Sequence, residues 1–120
     1  MKKILIVDDE PNIVMTLEYT FKKSNYEVFI ARDGQEALDI LKTNFPDVII
    51  LDIMMPMVDG FATLEQIRKD DNLQHTKVMF LSAKNKESDI EKGLALGADA
   101  YMTKPFSIKK VVEKVEELLN

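Results

Sequence analysis

The sequence predicts an α/β fold in which helices cover both faces of a five-stranded parallel sheet. Apolar segments of strand type alternate with segments of helical spacing, and this alternation is typical of parallel sheets with right-handed crossovers. Residues 48–51 are an unbroken apolar run, as expected for a central strand that is buried on both faces. Five strand–helix units are too few for an eight-stranded barrel. We therefore expect one open, doubly wound sheet in the flavodoxin-like order 2-1-3-4-5.

The strands are predicted from short segments that are rich in β-branched and aromatic residues. They are expected at residues 3–7, 26–31, 48–51, 77–81 and 98–102. The first of these resembles the start of a signal peptide, but the acidic residues Asp8 and Asp9 end its apolar run too early. Residues 3–7 are therefore interpreted as the first strand.

The helices are predicted from apolar spacing and from their terminal residues. They are expected to begin at Pro11, Asp33, Asp59, close to Ser88, and at Ser107. Asp33 and Glu36 together resemble a capping box, which supports the second helix. In the fourth helix, Ile90 and Leu94 are expected to face inward, and Gly97 is expected to end it.

Composition excludes several classes of protein. A chain of 120 residues is enough for one domain, and it contains no apolar run that could span a bilayer. The absence of cysteine excludes disulfides and, with no export signal, predicts a cytoplasmic protein. The net charge of −5 argues against direct binding of nucleic acid by this domain.

Polar residues follow the strands at one edge of the predicted sheet. They are Asp8 and Asp9 after the first strand, Asp52 after the third, Ser82 after the fourth and Lys104 after the fifth. Open α/β sheets bind ligands at this edge, where the strand order reverses. Three neighbouring carboxylates repel one another, so we expect a bound cation. Oxygen ligands suit Mg²⁺, and Mn²⁺ could replace it.

This combination of groups is suited to phosphoryl transfer. Asp52 would be the nucleophile, while the metal and Lys104 would neutralise the charge on the phosphoryl oxygens. Ser82 would donate a hydrogen bond to one of those oxygens.

Six motifs together resemble those of the response-regulator receiver domains of two-component signalling. They are residues 6–10, 51–56, 59–60, 81–83, 97–101 and 104–106, and they occur in the family's order over essentially the whole chain. The resemblance implies that residues 1–120 form one receiver domain. It also implies a protein that catalyses only its own phosphorylation and dephosphorylation and is otherwise not an enzyme.

The resemblance further implies roles for individual residues. Asp52 would accept a phosphoryl group from a sensor histidine kinase or a histidine phosphotransferase, directly or as a phosphorelay step. Asp9, Asp52 and the backbone carbonyl of Met54 would bind Mg²⁺, with Asp8 nearby and acting through water.

The same resemblance implies a conformational switch. Lys104 would contact the phosphoryl group, while Ser82 and Tyr101 would change position. The face formed by the fourth helix, fifth strand and fifth helix would then alter its affinity for an output domain or a downstream protein. The resemblance also implies a cis bond between Lys104 and Pro105, which fits the weaker trans preference of X–Pro bonds.

Three residues depart from the pattern that is frequent in receivers of winged-helix regulators. They are Ile90, Ala100 and Glu116. These departures favour a single-domain regulator, a phosphorelay intermediate or a truncated receiver of another class.

Two other functions are compatible with the predicted fold. A flavodoxin-like nucleotide or flavin binder would need a glycine- or hydroxyl-rich phosphate loop, whereas residues 8–11 read Asp-Asp-Glu-Pro. A metal-dependent phosphatase with an Asp nucleophile usually carries a second carboxylate two residues further on, where this chain has Met54.

Overall fold

Strands and helices alternate as predicted. The computed structural model describes all 120 residues of the chain. The strands are β1 (Lys3–Val7), β2 (Glu27–Ala31), β3 (Val48–Leu51), β4 (Lys77–Ser82) and β5 (Ala100–Thr103). The helices are α1 (Pro11–Lys23), α2 (Gly34–Ile40), α3 (Gly60–Lys69), α4 (Glu87–Ala95) and α5 (Ile108–Leu119), and a 3₁₀ turn covers Asp71–Leu73. None of the helices is both long and apolar enough to cross a membrane.

The sheet has the predicted order, β2-β1-β3-β4-β5, and all its strands are parallel. Successive residues of β3 enter two different apolar clusters, because neighbouring side chains of a strand point to opposite faces. Ile49 joins the cluster that contains residues of α2 and α3, and Ile50 joins the cluster that contains residues of α1 and α5. Burial on both faces explains the unbroken apolar sequence of this strand.

The predicted helix boundaries depend on local hydrogen bonds. The carboxylates of Asp33 and Asp59 accept the backbone N–H groups of Glu36 and Ala62, each at 2.8 Å, and thereby cap α2 and α3. Gly97 follows α4 with φ of +109°, a conformation that favours glycine. The caps at Asp33 and Asp59 and the stop at Gly97 are therefore confirmed.

Helix α4 differs from its prediction. Leu94 was expected to face inward, but 45% of it is exposed, and Gly93 is the buried residue of this helix. A Cβ atom on Gly93 would lie 3.0 Å from the Phe80 ring and 3.1 Å from the Tyr101 ring. The helix therefore packs through its glycine against two aromatic rings, and this orientation turns Leu94 towards solvent.

Strand β5 begins two residues later than predicted because Asp99 has a separate role. Its carboxylate accepts the backbone N–H of Val78 at 2.8 Å and an N–H of the Arg68 guanidinium at 3.0 Å. Arg68 also donates to the carbonyls of Gly97 and Thr76, both at 3.0 Å. One guanidinium thus joins the end of α3, the segment before β4 and the turn before β5.

We expect Arg68→Ala to lower the free energy of unfolding by about 1.5–3 kcal/mol, since hydrogen bonds to charged groups are the stronger ones. Equilibrium urea unfolding measures this. Lys69→Ala is the matched control, because Lys69 is the exposed neighbour on the same helix, and it should change stability by less than about 0.5 kcal/mol. Equal losses in both variants would contradict the assigned role of Arg68.

Candidate functional site

Two buried carboxylates lie at the carboxyl ends of β1 and β3. Asp8 and Asp52 are each only 3% exposed. Oδ1 of Asp52 accepts the backbone N–H of Ile53 at 2.8 Å, and Oδ1 of Asp8 accepts that of Glu10 at 2.9 Å. The backbone thus holds one oxygen of each carboxylate, and the Oδ2 atoms face the third component of the site.

That third component is Lys104, which follows β5. Its Nζ lies 2.9 Å from Oδ2 of Asp8, 2.9 Å from Oε1 of Glu10 and 3.5 Å from Oδ2 of Asp52. Its backbone N–H donates to the carbonyl of Ser82 at 2.9 Å, and the bond to Pro105 is cis. The ammonium is therefore held among three carboxylates that come from two strand ends.

Asp52 and Lys104 each influence the pKa of the other. Burial, followed by the negative charge of Asp8, raises the pKa of Asp52 above its ordinary value, although Lys104 and the backbone N–H groups of Ile53 and Met54 oppose the rise. Burial alone would lower the pKa of Lys104, but hydrogen bonds to Glu10 and Asp8 and the charge of Asp52 raise it. Lys104 therefore remains cationic, and the carboxylates still favour additional positive charge.

The acidic cluster differs in composition from the one the sequence suggested. Oxygens of Asp8, Glu10 and Asp52 lie within 4.8 Å of one another, whereas Asp9 is exposed and lies outside this group. Glu10 is not among the site residues predicted from the sequence. Its position as the third residue of an acidic run was the available signal. The buried members of this group, Asp8 and Asp52, offer carboxylate oxygens at the rim of the sheet that suit a hard cation such as Mg²⁺.

The start of α3 packs closely against the backbone of Asp52 and Ile53 at the end of β3. The N–H of Gly60 donates to the carbonyl of Ile53 at 3.0 Å, and a Cβ atom on Gly60 would collide with the carbonyl oxygen of Asp52. Glycine is therefore required here for packing. Met54 lies on this loop with 56% of its surface exposed.

Ser82 and Tyr101 are connected through one residue, Lys84. Oγ of the buried Ser82 accepts the backbone N–H of Lys84 at 3.3 Å. The hydroxyl of Tyr101 donates to the carbonyl of the same residue at 2.7 Å, and its ring packs 5.7 Å from that of Phe80. Burial, then the charges of Asp89 and Asp52, raise the pKa of Tyr101, so its hydroxyl stays protonated.

An open groove of about 510 Å³ adjoins Glu10 and Lys104. Its walls combine two charged residues with mainly apolar ones, namely Glu10, Ile13, Ala83, Lys104, Pro105 and Phe106. The groove therefore leads from solvent to the ion pair between Glu10 and Lys104.

Comparisons with known proteins agree with this geometry. The chain is 46% identical over 118 residues to the alkaline phosphatase synthesis transcriptional regulatory protein PhoP of Bacillus subtilis, covering 98% of this chain and 48% of PhoP. The chain thus spans about half the length of that relative.

Two solved receiver domains are also similar in structure. That of the Francisella response regulator 1452 is 37% identical, with a TM-score of 0.91 and coverage of 99% of this chain and 97% of the other. That of the sensor histidine kinase PA1611 from Pseudomonas aeruginosa, with magnesium in its active site cleft, is 25% identical, with a TM-score of 0.89 and coverage of 98% and 97%.

The family described as the response regulator receiver domain matches residues 4–116. This match does not favour the flavin-binding or phosphatase alternatives. The chain therefore belongs to the response regulator receiver domain family and is a receiver domain of a two-component system.

Proposed function

We propose that Asp52 is the residue that accepts the phosphoryl group from a phosphohistidine of a sensor histidine kinase or histidine phosphotransferase. The observation that carries this proposal is the placement of Asp52. It is buried at the end of the central strand, with Oδ2 3.5 Å from the Lys104 ammonium. In the reaction, a carboxylate oxygen of Asp52 bonds to phosphorus. The phosphorus–nitrogen bond breaks, and the imidazole leaves with the electron pair.

The residues around Asp52 would orient the nucleophile and neutralise charge. Ile53 fixes Oδ1, so Oδ2 is the oxygen available for attack. Lys104 would move towards the phosphoryl oxygens, where it would stabilise the negative charge of the transition state. The chain would catalyse only its own phosphorylation and dephosphorylation, and its place of action would be the cytoplasm.

Mg²⁺, or Mn²⁺ in its place, would be held by Asp9, Asp52 and the backbone carbonyl of Met54, with Asp8 acting through water. When bound, it would supply positive charge to the phosphoryl oxygens. Two like charges buried beside each other support this proposal, as does the magnesium in the cleft of the PA1611 receiver.

The signal would leave the site through Lys84. If the Ser82 hydroxyl turns towards the phosphoryl group, it gives up the N–H of Lys84, and the carbonyl that holds Tyr101 is then free to shift. Tyr101 would turn inward and change the face formed by α4, β5 and α5. The name of PhoP, a transcriptional regulatory protein about twice as long, favours an attached output domain over the single-domain reading that Ile90, Ala100 and Glu116 suggested.

Asp52→Asn is expected to abolish labelling by acetyl phosphate in the presence of Mg²⁺, because the amide is not a competent nucleophile. Intact-protein mass spectrometry measures the added phosphoryl group. Asp39→Asn, a change of the same chemistry at an exposed position of α2, should be labelled like the wild type. Undiminished labelling of Asp52→Asn would refute the proposed role of Asp52.

Stability should depend on pH through the same residue. A carboxyl group with a raised pKa contributes stability when protonated, and this contribution is lost as pH rises through the folded-state pKa. In metal-free protein at neutral pH, Asp52→Asn should therefore raise the free energy of unfolding, because the neutral amide does not incur this loss. The difference should shrink as pH falls towards the ordinary value of 3.8.

Urea unfolding with a chelator across this pH range tests that expectation. Added Mg²⁺ should stabilise the wild type more than Asp52→Asn, since it binds the folded carboxylates. A variant that is less stable than the wild type at neutral pH without metal would contradict the electrostatic account.

The lifetime of the aspartyl phosphate should reflect Met54. Its apolar side chain offers attacking water no hydrogen-bond partner, so we expect a half-life of minutes or longer. Met54→Asn should shorten it, whereas Met57→Asn, at an 85% exposed position of the same loop, should not. Decay of the wild-type phosphoprotein within a few seconds would be inconsistent with this role.

A further inference from the structure

We propose that Glu10 is a positioning residue that holds Lys104 away from the phosphoacceptor before transfer. This inference rests on the proposed function of Asp52. Nζ of Lys104 is 2.9 Å from Oε1 of Glu10 and 2.9 Å from Oδ2 of Asp8, but 3.5 Å from Oδ2 of Asp52. The shorter contacts of the ammonium are therefore with residues that follow β1.

The carboxylate of Glu10 has no structural role in its own helix. Glu10 is the N-cap residue of α1, and its carbonyl accepts the N–H of Val14 at 3.1 Å. Its side chain makes no capping hydrogen bond, unlike the Ser, Thr, Asp or Asn side chains that are preferred at this position. The carboxylate instead reaches Lys104.

The contact between Glu10 and Lys104 can open more easily than the contact between Asp8 and Lys104, because Glu10 is exposed to solvent. The Glu10 side chain is 58% exposed, whereas those of Lys104 and Asp8 are 10% and 4% exposed. Water can hydrate Glu10 when the ion pair opens, so the separated Glu10 carboxylate is not left as a buried charge. Asp8 has no such access to water, so its contact with the ammonium is the more persistent one.

Release of Lys104 is linked to arrival of the donor. Glu10 and Lys104 both line the open groove, so their ion pair can be reached from solvent. An anionic phosphodonor that enters there attracts Lys104, and Glu10 competes for the same ammonium. Glu10 therefore raises the donor concentration at which Lys104 moves to the phosphoryl group.

The test is a double-mutant cycle with acetyl phosphate and saturating Mg²⁺. Glu10→Gln should lower the half-saturating concentration of acetyl phosphate roughly threefold, with the maximal rate unchanged, because Lys104 is released earlier. In a Lys104→Ala background the same substitution should have no effect. Glu18→Gln, which removes a charge from α1 away from the site, should not change half-saturation in either background.

Two outcomes would overturn the proposal. A gain that persists without Lys104 would mean that Glu10 merely repels the anionic donor. A loss of Mg²⁺ affinity in Glu10→Gln, measured by titration of the unphosphorylated protein, would mean that Glu10 is a metal ligand.

A separate measurement keeps this test independent of the role of Asp52. The Lys104 ammonium protons should exchange with water more rapidly in Glu10→Gln than in the wild type, as observed by NMR without a phosphodonor. Equal exchange rates would refute the ion pair itself. Absence of labelling at Asp52 in the wild type would refute the proposed function and leave the exchange result standing.

Discussion

The site depends on the placement of Asp8 and Asp52 beside each other, both buried, with Lys104 as their counter-charge. Burial and mutual repulsion disfavour two charged carboxylates, as the raised pKa of Asp52 reflects. The arrangement persists because the backbone N–H groups of Glu10 and Ile53 and the Lys104 ammonium bind the oxygens. Such a site has a strong preference for added positive charge, which is the property that metal-assisted phosphoryl transfer requires.

The sheet determines where this repulsion occurs. Strands β1 and β3 are neighbours although a complete strand–helix unit separates them in the chain, so residues far apart in sequence meet at one edge. The apolar residues of both strands are buried in clusters on the two faces, and their burial stabilises the fold against the local electrostatic cost. The remote interaction between Arg68 and Asp99 secures the opposite ends of β4 and β5. The Arg68–Asp99 pair and the carboxylate site thus lie at opposite ends of the strands.

Helix α4 has fewer buried residues than the other α-helices. It buries only Gly93, and it packs through this residue against the rings of Phe80 and Tyr101. Glycine within a helix also lowers its intrinsic stability. Tyr101 thus lies between α4 and the apolar cluster that contains Phe80, which is where the proposed switch would act.

The sequence by itself determined the alternation of elements, the strand order, two helix caps and the convergence of Asp8, Asp52 and Lys104 on one edge. Those inferences depend on period, local hydrogen bonding and the shared direction of parallel strands, which are all properties of short segments. Tertiary structure alone decided that Glu10 joins the acidic cluster while Asp9 is exposed. It also decided that Leu94 faces solvent and that Asp99 binds Arg68 before β5 begins. In each case the side chain's direction is set by a partner distant in the chain, and no local pattern contains that information.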